Sequence, residues 1–433
     1  AKHHIYHNYG SATEGPATAG IFIYNETDDV WSSQLWASSS SNNSWYWQDG
    51  NTSNGIDISA YDGKVVQIWF SATSGGYRSD FALDYITVSA TRNSSMTWDG
   101  SSNSDWKTAA NWSNDSVPIT GDDVIIADVT NQPVISSDDG SSGAVTLDDI
   151  TINSGATLTI EKEASLTLTG NFTNNSATVT LNSDANEFAV IKVGGSATGN
   201  ITYNRWVNAI GTNEWDLIGS PVDGLSISSF ASTNSSPLAT GGGSGSNQYA
   251  IGYYDNSADD WTNYTTATIG DAGTFDIGKG YQMGTDSGAT LAFTGTIATT
   301  DQTQAVQDHS GASGRIWNLV ANPYPIYLNA NTNAHGSNNF LTVNGTTTMH
   351  DTYVAIYGYD ADGSGYSIYN NTTPATYIAP GQAFMVAADN ASSGTSISMT
   401  EAMQTTTGSD DFISGDNMEN TEVVVKLFNG DNE

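Results

Sequence analysis

The segment ATLTIEKEASLTLTG, residues 156–170, contains two short runs in which aliphatic residues alternate with polar ones. The neighbouring phrases AVTLDDITIN and ATVTLNS repeat the same rhythm. Each phrase supplies two or three inward-facing aliphatic residues between Gly, Asn or Ser, and one rung of a parallel β-solenoid buries such residues against its neighbours. The rhythm therefore predicts a solenoid-like domain, with a plain antiparallel meander as the alternative.

The pattern of residues in the rest of the chain also predicts β-strands. Examples are VVQIWFSA at 65–72 and VAIYGY at 354–359. Clusters of Gly, Asn, Asp and Ser separate such runs at a spacing of roughly 8–12 residues, which is typical of sandwiches and barrels. The sequence predicts an all-β fold.

The charge balance limits the partners that the chain can have. Among 433 residues, 46 are Asp or Glu and 11 are Lys or Arg, so the net charge is −35. Such a chain is repelled by nucleic acid and by anionic membrane surfaces, and we exclude both as partners. The sequence has no cysteine and no apolar run of membrane-spanning length, so we predict neither disulfides nor membrane insertion.

Three landmarks in the last half of the chain occur twice, in the same order. WDLIGSPV, which begins at Trp215, returns as WNLVANPY, which begins at Trp317. The matched pairs are Trp215 with Trp317, Tyr254 with Tyr359, and Gly280 with Gly381, which lie 102, 105 and 101 positions apart. The nearly constant offset indicates an internal duplication, and it predicts two related β-sandwich units packed together.

The first 90 residues resemble the carboxyl-terminal part of MAM-type jelly-roll modules. YHNYG (6–10), DISAYDGKVVQIWF (57–70) and YRSDFALDYITV (77–88) stand where that family has its core strands and its "sDiALDdi" signature. Tyr85 replaces the second of the family's two consecutive aspartates. The resemblance implies a jelly roll that lacks its front part.

A spaced motif follows, made of Trp98, Gly100, Trp106, Asn111, Trp112, Pro118, Asp122, Val124 and Ile126. It resembles a repeat found in large exported proteins of bacteria that use type IX secretion. WNLVANPYP (317–325) and PGQAFMV (380–386) are similar to the region before the sorting domain of the same proteins. The resemblance implies an extracellular, cell-surface location and an adhesin, structural or accessory role. Because strand-like sequence stands at both ends, we expect a trimmed part of a longer polypeptide.

These observations predict four segments. They are a MAM-like jelly roll over 1–90, a Trp-rich start with a solenoid-like domain over 96–205, a first β-sandwich copy over 206–310, and a second copy with a C-terminal strand over 311–433.

Two places are candidate calcium sites, because hard cations prefer carboxylate and carbonyl oxygens on loops. Asp80 and Asp84 flank a strand where MAM-related modules place a cation. DADGSG spaces Asp360, Asp362 and Ser364 like the start of a calcium loop, although the distal Glu is missing. A hairpin turn that uses Asp and Gly is the alternative for this second place.

Aromatic residues suggest a glycan site in the N-terminal block. NNSWYWQDG (42–50) places Trp45 and Trp47 on one side of a strand, where they could stack on sugar rings. Filling of the core by these large side chains is the alternative.

The sequence contains no G-x-S-x-G elbow, P-loop or dinucleotide fingerprint, so we expect no enzymatic activity. The leading hypothesis is an exported, noncatalytic structural or adhesin-like protein of the cell surface. It would form filaments or layers by β-strand association with itself or with other surface proteins, using the strand near 421–430. The alternative is a calcium-dependent glycan-binding accessory region of a larger secreted adhesin or hydrolase.

Overall fold

The computed structural model describes residues 2–7, 18–26, 29–39, 48–49, 61, 66–73, 79–84, 95–137, 143–213, 215–241, 247–309, 315–360, 365–389, 395–408 and 410–411. The chain divides into two compact units, 1–90 and 91–433. Both consist mainly of strands, so the predicted all-β fold is confirmed.

The N-terminal unit contains two antiparallel sheets. Its strands are β1 (Lys2–His7), β2 (Thr18–Asn25), β3 (Val30–Trp31), β4 (Trp36–Ser39), β5 (Gln48–Asp49), β6 (Val66–Thr73) and β7 (Ser79–Asp84). In one sheet β1 lies between β5 and β7. In the other, β2 pairs with β6 along its whole length and with β3 and β4 along its other edge. The resemblance to MAM modules stays a prediction.

The second unit begins with a parallel β-solenoid of about four turns. Its strands are β8 (Ser95–Trp98), β9 (Asp123–Ile126), β10 (Val134–Ile135), β11 (Ala144–Leu147), β12 (Ile150–Ile152), β13 (Thr157–Ile160), β14 (Ser165–Leu168), β15 (Phe172–Asn174), β16 (Thr178–Asn182), β17 (Val190–Val193), β18 (Ala197–Thr198) and β19 (Asn200–Val207). They form three parallel faces, with the orders β8-β9-β12-β15-β18, β10-β13-β16-β19 and β11-β14-β17.

Stacking of equivalent residues in successive turns explains why the sequence rhythm forms a solenoid. Leu158 of β13 lies beside Val179 of β16, and Ile160 lies beside Leu181. All four side chains are buried, whereas the threonines between them face outward. One turn alone could not bury these side chains, because each is covered by the turns next to it. The strands pair in parallel, so the solenoid prediction is confirmed and the antiparallel meander is wrong.

The Trp-rich motif covers the first turns of the solenoid. Trp98, Trp106 and Trp112 are buried, and the ring centroids of Trp106 and Trp112 are 4.7 Å apart. The side chain of Asn111 holds the connecting loop, because its Oδ1 accepts hydrogen bonds from the backbone N–H groups of Ser102 and Asn103, both at 2.9 Å. The motif therefore shields the end of an apolar stack that would otherwise be open to water.

The solenoid continues directly into the duplicated region. The elements that follow are α1 (Ile210–Asn213), β20 (Asp216–Ile218), α2 (Ile227–Thr233), β21 (Gln248–Asp255), β22 (Asp260–Thr265), β23 (Tyr281–Met283) and β24 (Ala289–Thr296). Strand β19 pairs in parallel with β16 of the solenoid and antiparallel with β24 over eight residues. The segment boundary expected between 205 and 206 thus falls inside one continuous strand.

The second copy of the duplication follows the first. Its elements are β25 (Gln302–Ala305), β26 (Trp317–Ala321), β27 (Tyr327–Asn329), α3 (Phe340–Thr348), β28 (Ile356–Asp360), β29 (Gly365–Tyr369), β30 (Tyr377–Ile378), β31 (Ala383–Ala387), β32 (Ser396–Met399) and β33 (Gln404–Thr405). Short 3-10 turns occur at Ala109–Asn111, Ile269–Asp271 and Glu401–Met403. We call 200–296 the first copy and 302–399 the second copy.

The two copies have the same strand order. One sheet runs β20-β23-β21-β22, and the other runs β26-β31-β28-β29. Each copy also has a helix whose asparagine bonds to an outer strand. Asn234 exchanges hydrogen bonds with the backbone of Ala292, and Asn344 does so with Ser398. Both amides are buried and fully engaged, which fixes the helix to the sheet in the same way twice.

The copies hold each other through a reciprocal pair of backbone contacts, which we call the clasp. Gly219 N–H donates to the Gly381 carbonyl at 2.7 Å, and Ala321 N–H donates to the Gly278 carbonyl at 2.8 Å. Gly278 and Gly381 both have a positive φ, 80° and 68°. The structural counterpart of Gly381 is therefore Gly278. The sequence match with Gly280 is two residues out of register.

Candidate functional site: an aromatic cleft between the two copies

The two places predicted to bind calcium are only partly described by the structure. Asp80 and Asp84 lie on β7, opposite Tyr6 and Lys2 in the register with β1, whereas Asp360 ends β28 in the other compact unit. Asp362 and Ser364 lie outside the described residues, as do Trp45 and Trp47. Within the described part of the chain, no group of three His, Asp or Glu residues could hold a metal ion.

The first-copy counterpart of the DADGSG loop is a hairpin turn. Asp255 Oδ1 accepts hydrogen bonds from the N–H of Ser257 at 2.9 Å and from its hydroxyl at 2.6 Å. These bonds, the hydroxyl above all, hold the pKa of the Asp255 carboxyl below its usual value. Asp259 takes the left-handed conformation that closes the turn, with φ 57°. In this loop the Asp residues therefore stabilise a hairpin turn.

A cleft lined by Trp and Tyr side chains lies between the sheets of the two copies and has two lobes. The polar lobe, of about 470 Å³, is lined by Trp215, Leu217, Gln248, Trp261, Asn263, Gln282, Tyr359 and Tyr366. The apolar lobe, of about 370 Å³, is lined by Tyr254, Asp259, Trp261, Trp317, Tyr357, Tyr366 and Met385. Trp261 and Tyr366 border both lobes, and both volumes lie in the range of small-molecule sites.

Strand register shows that the two lobes are equivalent places in the two copies. In the first copy Trp215 lies one residue before β20, and in the second copy Trp317 is the first residue of β26. In the first copy Gly252 pairs with Gln282; in the second copy Tyr357 pairs with Met385. At these equivalent positions the first copy therefore has Gly252 and Gln282, whereas the second copy has Tyr357 and Met385.

In the apolar lobe the tryptophan is covered by the protein itself. The Tyr357 ring packs edge-on against Trp317, with centroids 4.7 Å apart and planes at 79°. Tyr353 contacts the same ring at 5.9 Å. Met385 is 5% exposed and belongs to the small core between the sheets. This lobe has the character of an extended core.

In the polar lobe the equivalent tryptophan is left open. Trp215 is partly exposed and contacts no other aromatic ring within the described residues. Gln282 Nε2 donates a 2.6 Å hydrogen bond to Asn263 Oδ1, and this amide pair lies over Gly252. A Cβ on Gly252 would come within 2.2 Å of Asn263 Oδ1, so glycine is what lets the amides lie there.

The amide pair keeps unused hydrogen-bonding capacity. Gln282 is 6% exposed, yet its Oε1 has no partner in the described part of the chain. The Nδ2 group of Asn263 has none there either. Water or a ligand in the lobe can bond to these two groups. The lobe thus offers one acceptor and one donor beside an open aromatic face.

Cross-strand ring pairs frame the cleft in both copies. Tyr254 faces Trp261 with centroids 5.3 Å apart, and Tyr359 faces Tyr366 at 5.6 Å. Burial, and then the hydrogen bond to Asp259, raises the pKa of the Tyr254 hydroxyl far above its usual value. The Tyr254 hydroxyl therefore stays neutral at physiological pH, and the four rings act as flat walls.

Sequence reasoning did not find this cleft. The alternating aromatics of YYDNSADDWTNY were a usable signal, but only the strand order shows that they face the other copy. The N-terminal unit has a further exposed pair that was not singled out, Trp31 and Trp69, with centroids 5.1 Å apart.

The chain belongs to a family described as a domain of unknown function (DUF8693), whose model matches residues 97–427. The match begins within the first solenoid strand and includes both copies. No curated protein and no solved structure matches the chain. Among the described residues, no helix is both long and apolar enough to cross a bilayer.

Proposed function

We propose that this chain is an exported, noncatalytic structural or adhesin-like protein of the bacterial cell surface. The observation that carries the proposal is the fusion of the solenoid with both copies. One strand, β19, is shared by the solenoid and the first copy, and the solenoid face β10-β13-β16-β19 continues through β24. Such continuity suits a structural protein that must stay rigid under force, because flexible linkers between domains allow the domains to move.

A buried arginine adds a second tie that supports this rigidity. Arg205 is 1% exposed and its Nε donates to the carbonyl of Pro380 in the second copy at 3.0 Å. Its Nη2 forms an ion pair with Asp411, and its guanidinium lies 4.5 Å from the centroid of the Phe188 ring. One side chain thus joins the last solenoid turn, the second copy and the segment after β33.

Association between subunits would use exposed strand edges. In the described part of the chain, β29 pairs only with β28, and its Tyr366 and Ile368 are 44% and 54% exposed. An edge strand with exposed apolar side chains is a template for pairing with another chain. The strand expected near 421–430 lies outside the described residues and stays the proposed donor.

The test compares the whole chain with two variants by sedimentation velocity and negative-stain electron microscopy over a range of concentrations. The unmodified chain should form ordered assemblies. Deletion of 421–433 should abolish them, and Ile368→Lys should weaken them if β29 is the acceptor, since lysine on an edge strand blocks pairing. Single particles at every concentration, or unchanged assembly after the deletion, would contradict the proposal.

Calcium binding at Asp80, Asp84 and the 360–364 loop also remains a proposal. It is supported by the MAM resemblance and by the loop composition. Calorimetric titration with Ca²⁺ of the whole chain and of Asp80→Asn with Asp84→Asn tests it. Heat of binding that disappears in the double variant supports a site on β7, and heat that is absent in both removes it.

A further inference from the structure

We infer that the polar lobe of the aromatic cleft is a binding site for a neutral pyranose unit of a glycan chain. The inference goes beyond the structural role proposed above and concerns different residues from the Trp45 and Trp47 pair. Two equivalent places in one chain differ here: Tyr357 packs against Trp317 in the apolar lobe, whereas no aromatic ring among the described residues contacts Trp215 in the polar lobe.

The polar lobe lacks the tyrosine ring that the apolar lobe has. In the apolar lobe, Tyr357 covers Trp317. In the polar lobe, the equivalent residue is Gly252, and Trp215 keeps an open face toward about 470 Å³ of space. A flat ligand that enters this lobe can take the place that the tyrosine ring takes in the other copy.

The second step concerns the polarity of the walls. Gln282 and Asn263 are bonded to each other and keep one free acceptor and one free donor, and Gln248 adds a third amide on the rim. Amides next to an aromatic wall suit a ligand that has an apolar face and hydroxyl groups along its edge. A pyranose ring has both, because its axial C–H groups form the face and its hydroxyls lie around the ring.

The third step concerns charge. Among the residues that the structure describes, no Lys or Arg lines the polar lobe, and the chain as a whole has a net charge of −35. Uronic acids, sialic acids and sulfated sugars would be repelled. The site therefore selects neutral hexoses or pentoses over acidic sugars.

The chain provides its own matched variant. Gln282→Met gives the polar lobe the residue that stands at the same position in the second copy, and the change preserves length and burial. Trp215→Ala removes the stacking face. Tyr357→Phe alters only the apolar lobe and serves as the control, because the Tyr357 hydroxyl makes no hydrogen bond to another described residue.

The test is binding of the whole chain to an array of plant, algal, fungal and bacterial polysaccharides and mammalian glycans, followed by calorimetry with the best soluble oligosaccharide. We expect binding of neutral glycans with quenching of tryptophan fluorescence. Gln282→Met should weaken the affinity at least tenfold, Trp215→Ala should abolish it, and Tyr357→Phe should leave it unchanged. Circular dichroism and melting temperature check that each variant is folded.

Three outcomes would overturn the inference. They are no binding to any glycan on the array, equal affinity of the unmodified chain and Gln282→Met, or binding restricted to acidic glycans or to proline-rich peptides. Assembly is a separate readout, so a chain that binds glycans without forming fibres would keep this inference and remove the proposed filament role.

Discussion

The two copies of the duplicated unit share a backbone plan and differ in what they place around the cleft. Both copies have the same strand order, the same helix-to-strand asparagine and the same glycine in the clasp. In the cleft, Gly252 and Gln282 stand opposite Tyr357 and Met385. The shared positions hold the fold, so changes there should destabilise both copies alike. The differing positions distinguish a polar lobe, in which Trp215 is uncovered, from an apolar lobe, in which Trp317 packs against Tyr357.

The largest loss of unfolding free energy is expected on removal of the Arg205 side chain, which lies in the first copy. Arg205→Ala removes a buried ion pair with Asp411 and the hydrogen bond to the Pro380 carbonyl. Breaking a buried ion pair by removing one member costs about 3–5 kcal/mol. Urea denaturation should show this loss of unfolding free energy. Lys162→Met, which breaks an exposed pair with Asp184, should cost at most about 1 kcal/mol. Equal losses in the two variants would refute the role of Arg205.

The next effect tests the equivalence of the copies directly. Asn234→Ala and Asn344→Ala each remove a side-chain bond to a helix carbonyl and leave the N–H and carbonyl groups of one outer-strand residue, Ala292 or Ser398, without their side-chain partner. Unsatisfied buried groups cost about 1–3 kcal/mol each, so both variants should lose stability by similar amounts in urea denaturation. A loss confined to one copy would show that the asparagines are not structural equivalents.

A smaller effect is expected at the clasp glycines, because L-residues pay about 1–2 kcal/mol in the left-handed region. Gly278→Ala and Gly381→Ala should both lower the melting temperature. The loss should be larger for Gly381, whose added Cβ would meet the Gly219 carbonyl at 2.8 Å, than for Gly278, where the nearest atom is the flexible end of Met399. The reverse order in a thermal melt would count against the clasp geometry.

The smallest effect depends on pH. Burial raises the pKa of the Asp216 carboxyl to about 7, and the nearby Asp411 carboxylate adds to the shift while Arg205 and the Asn208 hydrogen bonds oppose it. The folded state therefore holds a proton that the unfolded state releases above about pH 4. The stability from this group is complete below pH 4 and is lost as the pH rises through about 7.

The second copy has Asn318 at the position of Asp216, and an amide cannot titrate. Asp216→Asn should therefore flatten the fall in melting temperature between pH 4 and 7 by a few degrees, although the variant loses some stability through its changed hydrogen bonds with Asn208. Parallel melting curves against pH for the two proteins would show that Asp216 is not the group responsible.

The sequence was sufficient for the strand class and the solenoid, because those follow from alternation along single segments such as 156–170. It also revealed the duplication. It could not place the glycine match correctly, since Gly278 is identified only by its φ and by its partner in the other copy. The cleft was missed for a related reason. Trp215 and Trp261 are 46 positions apart, and Tyr359 comes from the other copy, so nothing local shows that they share a wall.

The solenoid and both copies form one compact body. Native-state hydrogen exchange across a series of urea concentrations tests it most directly, because segments that unfold together share one opening free energy. We expect the slowest amides of β16, β21 and β31 to share a single opening free energy, and we expect Arg205→Ala to lower that free energy for all three strands. Separate values for the solenoid and the copies, each unaffected by changes in the others, would contradict it.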